Sequence, residues 1–180
     1  MALTRVKKVP TANLVQGSSF LTTASTLTSS NMPAGSVLQV VYNSSGTNVA
    51  LANDVTTFGD AVAASITPSA TSSKIMVLCS CAGDANNGNY RAIRYRIARA
   101  ISGGSTTTII ERNYHMYDSN AQSHNIDNTE LSFLDSPNTT SALTYTLQGS
   151  HQTGSAVSGT YNGYLNRYNL SSFVLIEIAG

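Results

Sequence analysis

Apolar residues along this chain recur at every second position more often than at every third or fourth. Across residues 91–101, Ile93, Tyr95, Ile97 and Ile101 fall on one side, and Ala92, Arg94, Arg96, Ala98 and Ala100 on the other. Successive side chains leave a strand on opposite faces, so this period predicts a strand with one buried face. Ser102-Gly103-Gly104-Ser105 can supply the positive φ angles of a tight turn, and a run rich in β-branched residues returns over residues 106–117. The pair predicts a long hairpin that serves as the wall of a β-sandwich.

The rest of the chain reads the same way. Strands are expected over residues 36–42, 60–66, 74–81, 129–134, 143–150 and 171–178, with short or weak ones near 48–52 and 156–160. The run KIMVLCSC at 74–81 is almost continuously apolar, which predicts the most buried strand. Turn chemistry separates the strands: residues 43–46, the loop 67–73, the Asn-rich loop 84–89, a polar loop at 118–127, the turn 135–138, and a hairpin-like turn at 161–164. No segment of twelve residues has helical periodicity. This pattern predicts an all-β sandwich or barrel. A terminal strand of this strength is expected to pair beside the first, as in a jelly roll.

Residues 1–33 differ from the remainder of the chain. MALTRVKKVP carries three of the chain's ten basic residues, and a Ser/Thr-rich stretch comes next with too few apolar residues for a core. The expected division is an extended N-terminal arm at 1–33 and a sandwich domain at 34–180. As a docking arm, it would bury Val6, Val9, Leu14, Val15 and Phe20 against a neighbour while Arg5, Lys7 and Lys8 meet acidic groups. Ordering such a segment loses conformational entropy, which a partner surface must offset. Pro10 and polar residues stand where a secretory signal needs an apolar stretch, so no cleaved signal is expected.

Charged residues make up 11% of the 180 positions, well below the roughly 25% usual in globular domains, and the formal net charge is +1. The polar surface is instead built from Ser, Thr, Asn and Gln, which suits extracellular β-proteins, virion surfaces and subunits packed side by side. No global basic field points to nucleic acid, and no run approaches the ~20 apolar residues of a membrane span. Cys79 and Cys81 lie two apart in a predicted strand. They share a face, too far apart at Cβ for a disulfide, and read as small buried hydrophobes.

Four stretches taken together, MPAGSVLQVVY at 32–42, ITPSATSSKIMVLCS at 66–80, LDSPNTTSALTYTLQ at 134–148 and VLIEIAG at 174–180, resemble a domain of tailed-phage structural proteins. The resemblance spans about residues 32–180. It implies a trimeric, tumour-necrosis-factor-like jelly roll. It further implies a non-enzymatic virion protein of tail-fibre type that is assembled in the host cytoplasm and displayed on the virion surface. The alternatives are a capsid decoration, cement or head-fibre protein, or a module that binds a host glycan. The implied partners are two further copies of the chain and other virion proteins.

Several clusters could carry chemistry. Arg94 and Arg96 share a strand face and could meet an acidic partner or a polysaccharide. The plainer reading is a solvated face with guanidiniums over neighbouring Tyr or paired with Asp and Glu. Arg91 and Arg99 fall on the opposite, apolar face. Asn86, Asn87, Tyr161, Asn162 and Tyr164 are loop candidates for a partner or glycan contact. His115, Asp118, His124 and Asp127 match no compact zinc spacing, and Asp84, Asn86, Asn87 and Asn89 lack the acidic density of a calcium loop. Glu111, Glu130 and Glu177 could form a glycosidase pair only if the fold brought two together. The expectation is no cofactor, no metal and no catalytic residue.

Overall fold

The computed structural model describes residues 32–52, 56–86, 90–117, 125–152 and 162–180. These residues form ten strands: β1 (Val37–Ser45), β2 (Val49–Leu51), β3 (Gly59–Ile66), β4 (Lys74–Asn86), β5 (Tyr90–Ile101), β6 (Thr106–Tyr117), β7 (Asn125–Asp135), β8 (Leu143–Gln152), β9 (Asn162–Leu165) and β10 (Ser171–Ile178). There is no helix among them. The expected arm, with Arg5, Val6, Lys7, Lys8, Val9, Leu14 and Phe20, lies outside the described residues.

Two antiparallel sheets pack face to face. One runs β1-β10-β4, with β7 beside β4 along most of its length and β9 and β2 continuing at its far end; the other runs β3-β8-β5-β6. Setting aside the short β2 and β9, the order is that of an eight-stranded jelly roll. The final strand sits between the first strand and β4, in register from Val37 opposite Ile178 to Ser45 opposite Ser171, as expected of a strong terminal strand. β1 is therefore an edge strand, and a bulge interrupts its register between Val37 and Gln39.

The hairpin forms as the alternation predicts: Gly103 takes φ +75° in the turn, and Tyr95 pairs with Arg112 across it. Ile93, Tyr95 and Ile97 are fully buried between the sheets, against Ile75, Val77, Phe173, Leu175 and Leu147. Each such side chain contributes about 1.5–3 kcal/mol by leaving water. β4 passes close enough that a Cβ on Gly83 would collide with the Tyr95 hydroxyl, which reserves that position for glycine. Cys79 and Cys81 are buried and unbridged, with Sγ atoms 3.8 Å apart.

Four expectations needed correction. β1 runs on through Ser45, where a turn was expected at 43–46. β4 continues five residues past Cys81 to Asn86, because Gly83, Asp84 and their neighbours pair with β7 and β9. β7 begins at Asn125, inside the expected loop 118–127. Residues 162–164, expected within the turn 161–164, are part of β9, which runs between β2 and β4. In each case, neighbouring strands supply backbone partners that outweigh the local turn preference of Asn, Asp and Gly. The weak strand expected at 156–160 lies outside the described residues.

Candidate functional site

The strip of arginines is neutralised by its own sheet. Arg94 donates from Nε to Glu111 Oε1 at 2.7 Å and from Nη2 to the same oxygen. Arg96 donates to Gln148 at 2.7 Å, and Gln148 to Asp60 at 2.6 Å. The Arg96 guanidinium lies 3.6 Å above the Phe58 ring, with that of Arg94 at 5.5 Å. This matches the plainer of the two readings in kind: both guanidiniums lie over an aromatic ring, which is Phe58 rather than a tyrosine, Arg94 pairs with a carboxylate, and Arg96 reaches one through Gln148. Arg99 points into the sandwich, as the alternation requires. It donates to both oxygens of Asp135, at 2.7 and 2.6 Å, and Tyr145 donates to Asp135 at 2.6 Å. This ties β5 and β8 to β7 across the core. Burial and the Asp135 bond both raise the Tyr145 phenol above its ordinary pKa.

The three glutamates lie apart. Glu111 is on the outer face of the second sheet and Glu130 on the outer face of the first, whereas Glu177 is buried at the end of β10. Glu177 accepts from Gln39 at 2.6 Å and from the Ser69 backbone at 2.6 Å and its hydroxyl at 3.1 Å. Burial pushes its carboxyl upward, but bonds from Gln39, Ser73 and Ser69 outweigh this, and its pKa falls below the usual value. No glycosidase pair exists among these three. Among the described residues, no group of three or more His, Cys, Asp or Glu could hold a metal ion. Of the two loop sets considered for metals, Asp84 is buried and bound to Arg167 at 3.2 Å. His115 and Asp127 lie in β6 and β7, Asn86 and Asn162 in β4 and β9. Asn87, Asn89, Asp118, His124 and Tyr161 lie outside the described residues.

Tyr164 stands beside a feature that the sequence pattern does not announce. Arg167 lies 4.4 Å from the Tyr164 ring centre and 5.1 Å from that of Tyr168, with Asp84 behind it. The loop that carries it starts at Asn166, a buried residue with φ +61°. Its backbone N–H donates to Ala82 at 3.0 Å, its side chain donates to Ala61 at 3.1 Å, and it accepts from the Ser171 N–H and hydroxyl at 3.1 and 2.6 Å. A non-glycine residue at positive φ is uncommon and asparagine is among those that adopt it most readily, but nothing at sequence level distinguishes Asn166 from the turn residues around it.

The largest departure from expectation is the outer face of the first sheet. The run in β4 was expected to be the most buried strand. The structure buries only Ile75, Val77, Cys79 and Cys81, while Met76 is half-buried and Leu78 is 40% exposed. Its neighbours repeat the pattern in register. Val40, Ile176, Met76 and Leu134 form one cross-strand row, and Tyr42, Val174, Leu78 and Ser132 the next. Val40 is 59% exposed, Tyr42 62% and Leu134 48%. Val37 and Ile178 extend the apolar area at one end, beside Lys74. Ser44, Ser172, Ser80 and Glu130 close it at the other. The nine apolar positions of these rows cover on the order of 300 Å² at ordinary strand spacings. Scattered exposed apolar residues are normal, whereas a contiguous patch of this size is often functional. Its sequence signal was the continuous apolar run, unusual in an antiparallel sheet with one wet face.

No family model matches the chain, and no curated protein matches it. Solved structures with a similar fold include the infectious bursal disease virus VP2 subviral particle (13% identity, covering 79% of this chain and 33% of that one, TM-score 0.44) and the Gx strain of the same virus (11% identity, 79% and 32%, TM-score 0.46). The chain spans about a third of the length of these proteins, and the likeness is one of fold.

Proposed function

We propose that this chain is a non-enzymatic virion structural protein of tail-fibre type that works as a homotrimer and is anchored to the particle by residues 1–33. The apolar outer face of β1, β10, β4 and β7 carries this reading. A protein that worked alone would place polar residues at Val40, Tyr42, Leu78 and Leu134. The face has well under half the ~800 Å² that each partner buries in a standard interface, so it fits the apolar centre of a contact whose rim is polar. The resemblance of residues 32–180 to tailed-phage structural domains supplies the trimer and the particle.

Mass measurement of the full chain in solution tests the assembly. The expected species is three copies of the 18.9 kDa chain, and a stable monomer at micromolar concentration would overturn the reading. Removing residues 1–31 should leave the assembly intact and abolish its incorporation into particles; normal incorporation of the truncated protein would remove the anchoring role. The same architecture also serves a capsid decoration or head fibre, which copy number per particle separates from a tail fibre. A second reading, contact with a host glycan, is favoured by the arginine–tyrosine loop.

A further inference from the structure

The sandwich has two ends, and they are built differently. Residues 33–36, which lead from the arm into β1, are tied to the last residues of the chain: Gly35 donates to Ala179 and Ala179 to Ser36, both at 2.8 Å. That end of β4 is Lys74, paired with Ile178. The loop at 166–170 sits beside the other end of β4, where Gly83 and Asp84 pair with Leu165 and Tyr164. Ten residues of strand separate Lys74 from Asp84, ~33 Å at the usual rise. A subunit held by its arm therefore carries this loop outward.

The loop is rigid by construction. Asn166 is held in an uncommon backbone conformation by four hydrogen bonds. Ser171, which closes the loop, donates to Asn166 and accepts from the Ala82 N–H at 2.9 Å. Strain of this kind persists only where its surroundings over-determine it, and it concentrates where a surface must be pre-shaped. What the anchored loop displays is Arg167, Tyr168, Asn169 and Leu170. Tyr168 and Leu170 are each 52% exposed, and the Arg167 guanidinium lies 5.1 Å from the Tyr168 ring centre. Ala82, Gly83, Asp84, Arg167, Tyr168 and Asn169 line a shallow recess beside them.

From this placement we infer that the loop is a saccharide-contact site, with the Tyr168 ring as the platform for the apolar face of a pyranose and Asn169 and Arg167 as donors to its hydroxyl or carboxylate oxygens. The inference rests on the host-glycan reading above. A ring face flanked by planar polar groups matches a sugar, which is itself apolar on its face and polar at its edge. Because the loop is pre-shaped, little ordering entropy opposes binding. Three copies held with their arms at one end would present three such sites at the other, so weak single-site affinity would become useful attachment.

The test is saturation-transfer NMR on the full chain, using methyl pyranosides of neutral hexoses and of uronic acids as probes. Transfer to at least one probe class is expected, with the affinity weakened tenfold or more in Tyr168→Ala and Asn169→Ala. It should be unchanged in Asn113→Ala, an exposed position on β6. Far-UV circular dichroism and melting temperature show whether each variant is folded. Transfer to neither class, or transfer that both loop variants leave untouched, overturns the inference. So does a Tyr168→Ala protein that binds sugars normally but fails to join particles, since the loop would then be a protein contact. Solution mass separates the two proposals: a trimer without sugar binding fails this one alone, whereas a monomer fails the assembly.

Discussion

Glu177 shows how a carboxylate survives at the edge of an apolar core. Taken alone, its burial would drive the group neutral; the donors from Gln39, Ser69 and Ser73 reverse that. The folded protein therefore holds the ionised form more tightly than the unfolded chain does. The stabilisation is complete above the ordinary value of 4.5 and is lost as pH falls through the lower folded value. His151 acts in the same direction at higher pH. Burial pushes it below 6.5, so its share is full above that value and declines beneath it. Glu177→Gln keeps the shape but removes the charge. It should lower stability at pH 7 by about 1–3 kcal/mol and flatten the decline below pH 4.5, while the His151 limb persists. Urea denaturation at pH 7, 5 and 3.5 reads both effects; an unaltered acid limb would mean that Glu177 is not the titrating group. None of this was legible in the sequence, where Glu177 was one of three carboxylates on predicted strands. Arg99 was half legible: alternation put it on the buried face, but its partner Asp135 is 36 residues away and was read as part of a turn.

At the scale of elements, β4 and β10 carry two signals superposed. One face packs the core and the other is bare, and the sequence pattern of either strand cannot separate them because both faces are apolar. Substitution can. Leu175→Ala, on the buried face of β10, should cost about 2–5 kcal/mol of subunit stability. Leu78→Lys, on the open face of β4, should leave the subunit folded but disrupt self-association. Denaturation and solution mass measured on both variants check this; a Leu78→Lys protein that stays assembled would move the interface elsewhere. The hairpin of β5 and β6 was legible from the alternation of β5, the Gly-rich turn and the β-branched return, and β10 from its continuous apolar run. β9 and the far half of β4 were not. Residues 83–86 and 162–163 are rich in Asp, Asn and Gly, which favour turns locally, and only pairing between distant segments overrides that preference.

For the molecule as a whole, an apolar face on an otherwise polar subunit couples folding to association. If copies cover that face, the melting temperature should rise with protein concentration, because association draws on the folded state alone. Scanning across a hundredfold range of concentration tests this, and a constant melting temperature would count against the assembly. The jelly-roll order was legible in outline from the number of strands and the strength of the last one. The bare face was not, because burial by another chain and burial by one's own leave the same mark on a sequence. The edge position of β1 has a consequence in time. A newly released subunit presents both the uncovered face and an unpaired strand edge, so ordered assembly competes with edge-to-edge aggregation. The bulge at Val37 and Gln39 breaks the regular edge at one end of β1, and the small polar residues Asn43, Ser44 and Ser45 weaken it at the other. If copies cover the apolar rows as proposed, these features would slow the wrong encounter without blunting the rows, giving each subunit time to find its copies.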